Sequence, residues 1–154
     1  MSNKDNNSKN NLPHVEIYTD GGCIPNPGKG AWSAILIYGD KEKVISGSEE
    51  NTTNNRMELR AAVEALKALK RKCEVIVYTD SEYLKKGMTE WLPKWMDNGW
   101  KTTKGDVKNA DLWFELKSLI DRHIVTWKWI KGHSKNVQNE RCDDIVKRII
   151  KNKE

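Results

Sequence analysis

Long apolar runs are missing from this sequence. No segment approaches the ~18 consecutive apolar residues of a membrane span, and the N-terminus lacks the apolar stretch of a signal peptide. A soluble, cytoplasmic chain is the expectation. Cysteine is scarce as well: Cys23, Cys73 and Cys142 are odd in number and include no CxxC pair, which argues against a disulfide framework or a structural zinc site. Apolar residues reach only 37%, and counting glycine in and tyrosine out adds about four points, still short of the usual ~45 to 50%. With 154 residues there is room for one domain and little space for a second.

What is present is charge and tryptophan. Charged residues make up 32% of the chain and the net charge is +5, which puts a polyanion, nucleic acid or a membrane surface, among the candidate partners. Charge alone does not choose between them. Seven tryptophans in so polar a chain are the oddity to follow.

Residues 1–13 are mainly Asn, Ser and Lys with one Leu, too polar to repay the entropy of ordering, and read as a disordered tail ahead of one domain over 14–154. From Val15 an apolar run leads to Tyr18, a Gly/Pro-rich turn follows, and 31–38 and 43–49 are strand candidates joined at Gly39-Asp40 as a hairpin. Thr53 or Asn54 can cap a helix running to about Lys70, with Leu59, Ala62, Val63, Leu66 and Leu69 at helical spacing. Residues 75–79 form a wholly apolar strand of the kind found in a sheet centre. Residues 81–87 read as a short helix and 89–108 as a helix followed by a loop. Then come a helix at 110–122, a strand at 124–130 and a closing helix from Gln138 to about Asn152. This order predicts an α/β domain with a mixed sheet.

Two strands end alike, in Ile17-Tyr18-Thr19-Asp20 and Val77-Tyr78-Thr79-Asp80. Each sets an aspartate just past the carboxyl end of an apolar run, where open α/β sheets bind ligands. Glu58 projects close to the apolar stripe of its helix, and a carboxylate there needs a partner, an arginine or a metal. In the last helix Asp143 borders the apolar stripe while Asp144 points away. If both helices pack over the strand ends, four carboxylates meet, and their repulsion is tolerable only around cations. Oxygen ligands without His or Cys suit Mg²⁺ or Mn²⁺, and a pair of such ions is a known device for in-line attack on a phosphodiester.

Four segments then carry a resemblance: Tyr18-Thr19-Asp20-Gly21, Thr52-Thr53-Asn54-Asn55-Arg56-Met57-Glu58-Leu59, Tyr78-Thr79-Asp80-Ser81, and Gly132-His133-Ser134 through Asn139-Glu140-Arg141-Cys142-Asp143. In this order and spacing the chain resembles the bacterial type 1 ribonuclease H family over 15–150. The resemblance implies a ribonuclease H-like fold, a five-stranded mixed sheet flanked by helices. It also implies cleavage of the RNA strand of RNA/DNA hybrids to 5′-phosphate and 3′-hydroxyl ends. By motif, Asp20, Glu58, Asp80 and Asp143 would hold two Mg²⁺ ions, with Mn²⁺ a possible substitute, and His133 would assist proton transfer or product departure. Cys23, Asn26, Asn54 and Asn55 would meet the RNA strand, Thr53 and Asn109 would seat a DNA phosphate, and Trp91 and Trp95 would line the DNA channel. Read from spacing alone, Trp91 and Trp95 are four apart on one helix face, which is ordinarily core packing. Trp127 and Trp129, on one strand face, read as core.

Two features depart from the family's best-known members. Residues 94–108 balance Lys94, Lys101, Lys104 and Lys108 against Asp97 and Asp106, only +2 where a densely basic loop is usual. Glu82 stands where a neutral side chain is common. Arg56, Arg60, Lys67, Lys70, Arg71 and Lys72 could compensate, or could be a solvated face. The expected protein is a monomeric, metal-dependent endonuclease for hybrids, with no membrane partner. The rivals are a metal-dependent DNA nuclease of related fold and a hybrid-binding module without catalysis. An aspartate-nucleophile phosphatase would want a second acid where Gly22 stands.

Overall fold

The computed structural model describes residues 11–102, 105–131 and 136–152, with side chains described outside 101–106. Residues 1–10 of the expected tail, and His133, lie outside this set. Strands β1 (His14–Cys23), β2 (Gly28–Tyr38) and β3 (Lys41–Thr52) form an antiparallel meander. Helix α1 (Asn54–Lys67) leads to β4 (Glu74–Thr79), which pairs parallel with β1. Helices α2 (Glu82–Lys86) and α3 (Leu92–Asp97) follow, joined by a π-helical turn at Gly87–Trp91. A two-residue ribbon, β5 (Lys101–Thr102) with β6 (Gly105–Asp106), precedes α4 (Ala110–Arg122). Strand β7 (Ile124–Trp129) pairs parallel with β4, and α5 (Val137–Lys151) closes the chain. The sheet order is β3-β2-β1-β4-β7, the five-stranded mixed sheet expected.

Local chemistry places the boundaries. Thr53 is the N-cap of α1, extended at φ −134, its hydroxyl accepting from the Arg56 N–H. That helix stops at Lys67, three residues short of the sequence estimate. Gly39 turns the β2–β3 hairpin at φ 62, a conformation that costs glycine little. The short helix and the Trp-bearing helix expected separately are one path through the π-turn, whose Gly87 lies against the ring of Trp113. A Cβ at Gly87 would fall 2.0 Å from that ring.

One face of the sheet carries the main core. Val15, Ile17, Ala34, Val75 and Val77 meet Leu59, Val63 and Leu66 of α1 and Trp113 and Leu116 of α4. Each fully buried side chain of this kind contributes roughly 1.5 to 3 kcal/mol. On the other face α5 covers mainly β1 and β2 and reaches β3 at its margin, with Cys142 against Tyr18 and Ile35. Two expectations change as a result. Strand β4 is central but alternates buried and half-buried, because α5 stops short of its second face. Trp127 and Trp129 stack on each other at 5.2 Å and pack on the core half-buried, because β7 is an edge strand.

Candidate active site

The two similar strand ends are neighbours. Strands β1 and β4 run parallel with Tyr18 opposite Tyr78, so the same register two residues on sets Asp20 beside Asp80. Asp80 directly follows β4, as expected. Asp20 does not lie past its strand: β1 continues through Gly21 and Gly22 to Cys23 because the antiparallel ladder with β2 persists, Asp20 facing Ser33. Only the apolar run ends at Asp20.

Gly21 brings in the third carboxylate. A Cβ at this position would sit 2.3 Å from the Met57 carbonyl carbon and 2.5 Å from the Glu58 nitrogen. The start of α1 therefore rests directly on the β1 backbone, which only glycine permits. Glu58 accepts a 2.6 Å hydrogen bond from the Ser81 hydroxyl, and Ser81 in turn caps α2 by accepting from the Leu84 N–H at 3.0 Å. The hydrogen-bond partner of Glu58 is thus a serine hydroxyl beside Asp80, where the sequence suggested an arginine or a metal. Asp143 arrives on α5, whose backbone is tied to the sheet by Ser33 donating to the Cys142 carbonyl at 2.8 Å. Asp144 is exposed, as its position on the helix foretold.

The carboxylates feel one another. Burial, then Asp80, Asp143 and Glu58, push the Asp20 acid up to about 8, against a single opposing hydrogen bond from the Gly21 backbone. Burial lifts Glu58 to about 7, with Asp80 adding and the Ser81 hydroxyl opposing. Asp143 is half-exposed and pairs with Lys147 at 2.9 Å, one turn along α5. Among the described residues, no three His, Cys, Asp or Glu side chains are gathered ready to hold an ion. The group is close enough to repel through the protein interior, yet Asp143 is held toward a lysine.

The other nominated residues fall beside this cleft. The Cys23 N–H donates to Asn54 Oδ1 at 3.1 Å, and the Asn54 N–H donates to Asn26 Oδ1 at 3.0 Å. The Cys23 thiol is buried toward the Pro25 and Thr52 carbonyls, which leaves its backbone as the accessible part. Asn26, Thr53, Asn55 and Asn109 line one cavity of about 400 Å³ together with Tyr83 and Lys108. Tyr83 carried no signal in the sequence, because what distinguishes it is contact with residues 26 and 30 positions away. Trp91 and Trp95 are half-buried, 5.9 Å apart, in an aromatic chain running from Tyr83 to Trp100 and Phe114.

The basic face of α1 needs correction. Arg56 holds Asp111 through two nitrogens at 3.1 and 2.7 Å, Arg60 reaches Glu49 at 3.1 Å and Glu64 at 3.3 Å, and Lys67 reaches Glu115 at 3.1 Å. Arg56, Arg60 and Lys67 thus strap α1 to β3 and α4 and are not free to replace a basic loop, whereas Lys70, Arg71 and Lys72 lie exposed beyond the helix end.

A profile of the RNase H family matches residues 13–151 of the chain. The chain belongs to the ribonuclease H family. It is 58% identical over 137 residues to the ribonuclease H of Francisella tularensis subsp. novicida (strain U112), an alignment covering 88% of this chain and 90% of that one. The ribonuclease H of Hahella chejuensis (strain KCTC 2396) is 56% identical over 138 residues, covering 89% and 93%. Among solved structures, LC9-RNase H1, a type 1 RNase H with the type 2 active-site motif, superposes with a TM-score of 0.81 at 30% identity, over 90% of this chain and 72% of that one. LC11-RNase H1, solved in complex with RNA/DNA hybrid, shares the fold at a TM-score of 0.67 and 21% identity, over 87% and 94%. As a ribonuclease H, the chain is a hydrolase of the endonuclease class acting on the RNA strand of RNA/DNA hybrids. No helix among the described residues is long and apolar enough to cross a membrane.

Proposed function

We propose that Asp20, Glu58, Asp80 and Asp143 are the metal ligands of this ribonuclease H and that its cofactor is a pair of Mg²⁺ ions, replaceable by Mn²⁺. The observation that carries this reading is the convergence of Asp20 with Asp80, Asp143 and Glu58, where burial first and then their repulsion push the Asp20 acid up to about 8. An all-oxygen donor set that resists ionising by itself fits hard divalent cations, since these supply the charge the protein withholds. Bound there, such ions would acidify the attacking water and take up charge on the leaving 3′ oxygen.

The chain's own groups do the rest. Asp20 and Asp80, side by side on adjacent strands, give the site its fixed floor. Ser81 aims Glu58 by donating to Oε1, which leaves Oε2 free for an ion. Asp143, paired here with Lys147, would be the fourth residue to hold a cation. By family resemblance, His133 moves a proton at the cleaved bond or helps the product leave. Asn26, Asn54, Asn55 and the Cys23 backbone meet the RNA strand, Thr53 and Asn109 seat a DNA phosphate, and Trp91 and Trp95 flank the DNA strand. The enzyme acts in the cytoplasm as a monomer, with 14–154 as its working domain and 1–13 as a tail.

The test uses labelled RNA/DNA, RNA/RNA and DNA/DNA duplexes with Mg²⁺ or Mn²⁺, for the unaltered chain and for Asp20→Asn. Cleavage confined to the RNA of the hybrid, reduced by about 10³-fold or more in Asp20→Asn, is expected. Cutting of DNA duplex would favour the related DNA nucleases, and hybrid binding without cleavage would favour a binding module. Retained cleavage by Asp20→Asn would remove the metal assignment.

A further inference from the structure

Asn109 stands at the head of α4 but does not cap it. It adopts φ 58 and ψ 28, a left-handed conformation that asparagine tolerates better than most residues, and its side chain makes no bond to the first turn. An asparagine at this position normally turns its oxygen onto the helix N–H groups. Here the amide is held elsewhere. Arg56 Nη1 donates to Asn109 Oδ1 at 3.1 Å, and Asn109 Nδ2 donates to the Tyr83 oxygen at 3.0 Å. The indole N–H of the fully buried Trp113 donates to the same oxygen at 3.0 Å.

The direction of every bond in this chain is fixed by its ends. A guanidinium and an indole N–H can only donate. Oδ1 of Asn109 must therefore face Arg56, and the amide cannot be reversed. The Tyr83 oxygen already receives two hydrogens, so its own proton points away from both. Among the described residues nothing accepts that proton, nor the second hydrogen of Asn109 Nδ2. Both groups line the cavity of about 400 Å³ that also holds Thr53 and Lys108. The nearest carboxylate of α4, Asp111, is engaged by Arg56.

We propose that Arg56, Tyr83 and Trp113 are positioning residues that lock the Asn109 amide, and that Tyr83 also donates its hydroxyl proton to the same ligand oxygen, that of one DNA-strand phosphodiester. This rests on the reading of the Thr53–Asn109 cavity as a phosphate seat, and adds what orients it. A phosphate oxygen offers lone pairs and no hydrogens, so a cavity presenting donors in a fixed direction selects it over groups that must also donate. The Lys108 ammonium supplies charge, while the neutral pair supplies geometry.

The experiment measures KM and kcat for Tyr83→Phe and Arg56→Lys on a set of hybrids, each with a single methylphosphonate at a different DNA-strand position. Tyr83→Phe should raise KM about three- to tenfold, more than it changes kcat. At one position the neutral linkage should penalise the unaltered enzyme more than either variant, because part of the contact is already lost in both. Tyr83→Phe strips Trp113 of its acceptor and lowers Tm, but lowered Tm does not erase a penalty at a single linkage. Arg56→Lys keeps the charge and loses the fork, and it supplies the same readout if Tyr83→Phe folds poorly. Equal penalties in the unaltered enzyme and both variants at every position would overturn the proposal while hybrid cleavage still stands. An unaltered chain that does not cleave hybrids at all would instead overturn the reading beneath it.

Discussion

Asp20→Asn should make the metal-free protein more stable while disabling it. The Asp20 acid lies at about 8 in the fold against 3.8 in an ordinary aspartate, so between those values the folded state holds a proton that the unfolded chain has released. Stability contributed by this group therefore falls as pH rises from about 4 to about 8 and then levels off. At pH 7 the full linkage is about 4 kcal/mol, at 1.36 kcal/mol per unit. Movement of the half-exposed Asp143 and entry of water relieve part of it, so Asp20→Asn should gain about 2 kcal/mol, or about 4 to 8 °C in Tm. The assay is thermal unfolding by circular dichroism in EDTA, at pH 5 and pH 8. The gain should be large at pH 8 and small at pH 5. Adding Mg²⁺ should reverse the order: at about 100 times Kd a ligand stabilises by roughly 2.7 kcal/mol, available only to the intact site. A variant no more stable than the parent at pH 8 in EDTA, or a gain that does not shrink toward pH 5, would refute the reasoning.

Three further outcomes follow from the same geometry. With limiting Mg²⁺, cleavage should rise between pH 6 and 8 as Glu58 and Asp20 ionise near 7 and 8, and more Mg²⁺ should move the profile to lower pH; a pH–rate series at two metal concentrations checks this. Ser81→Ala removes the α2 cap and a bond that favours ionised Glu58, so Tm should fall with a loss of about 1 kcal/mol and the pH profile should shift alkaline. Gly21→Ala should cost about 3 kcal/mol or more, read by chemical denaturation, because the new methyl meets the Met57 backbone and not a side chain that can swing aside.

The sequence revealed most about what repeats locally. Two Tyr-Thr-Asp endings were visible, and parallel pairing of the strands that carry them turned the repetition into adjacency. The Asp143/Asp144 choice was legible from helical phase. Contacts between distant residues were not. Arg56 and Arg60 read as solvent-facing because Glu49 and Asp111 are brought to them only by β3 and α4. The spacing of Trp91 and Trp95 was read as α-helical, but the segment contains a π-turn. Asp20 was set past a strand end because hydrophobicity stops there, while backbone pairing through two glycines does not.

The seam at Gly21 divides the carboxylates into two kinds. Asp20, Asp80 and Glu58 are spaced by main chain touching main chain or hydrogen-bonded to it, so substitutions that soften the core should alter stability before they alter these separations. Asp143 rides instead on a helix seated over a thin layer of Tyr18, Ile35 and Cys142, and steadied at the surface by the Arg141–Glu42 pair at 2.7 Å. Three of the carboxylates are thus built into the frame, and the fourth stands on a helix that this layer and the Ser33 bond hold to the sheet. Substitutions that reseat α5 should therefore move Asp143 while leaving the other three carboxylates where they are.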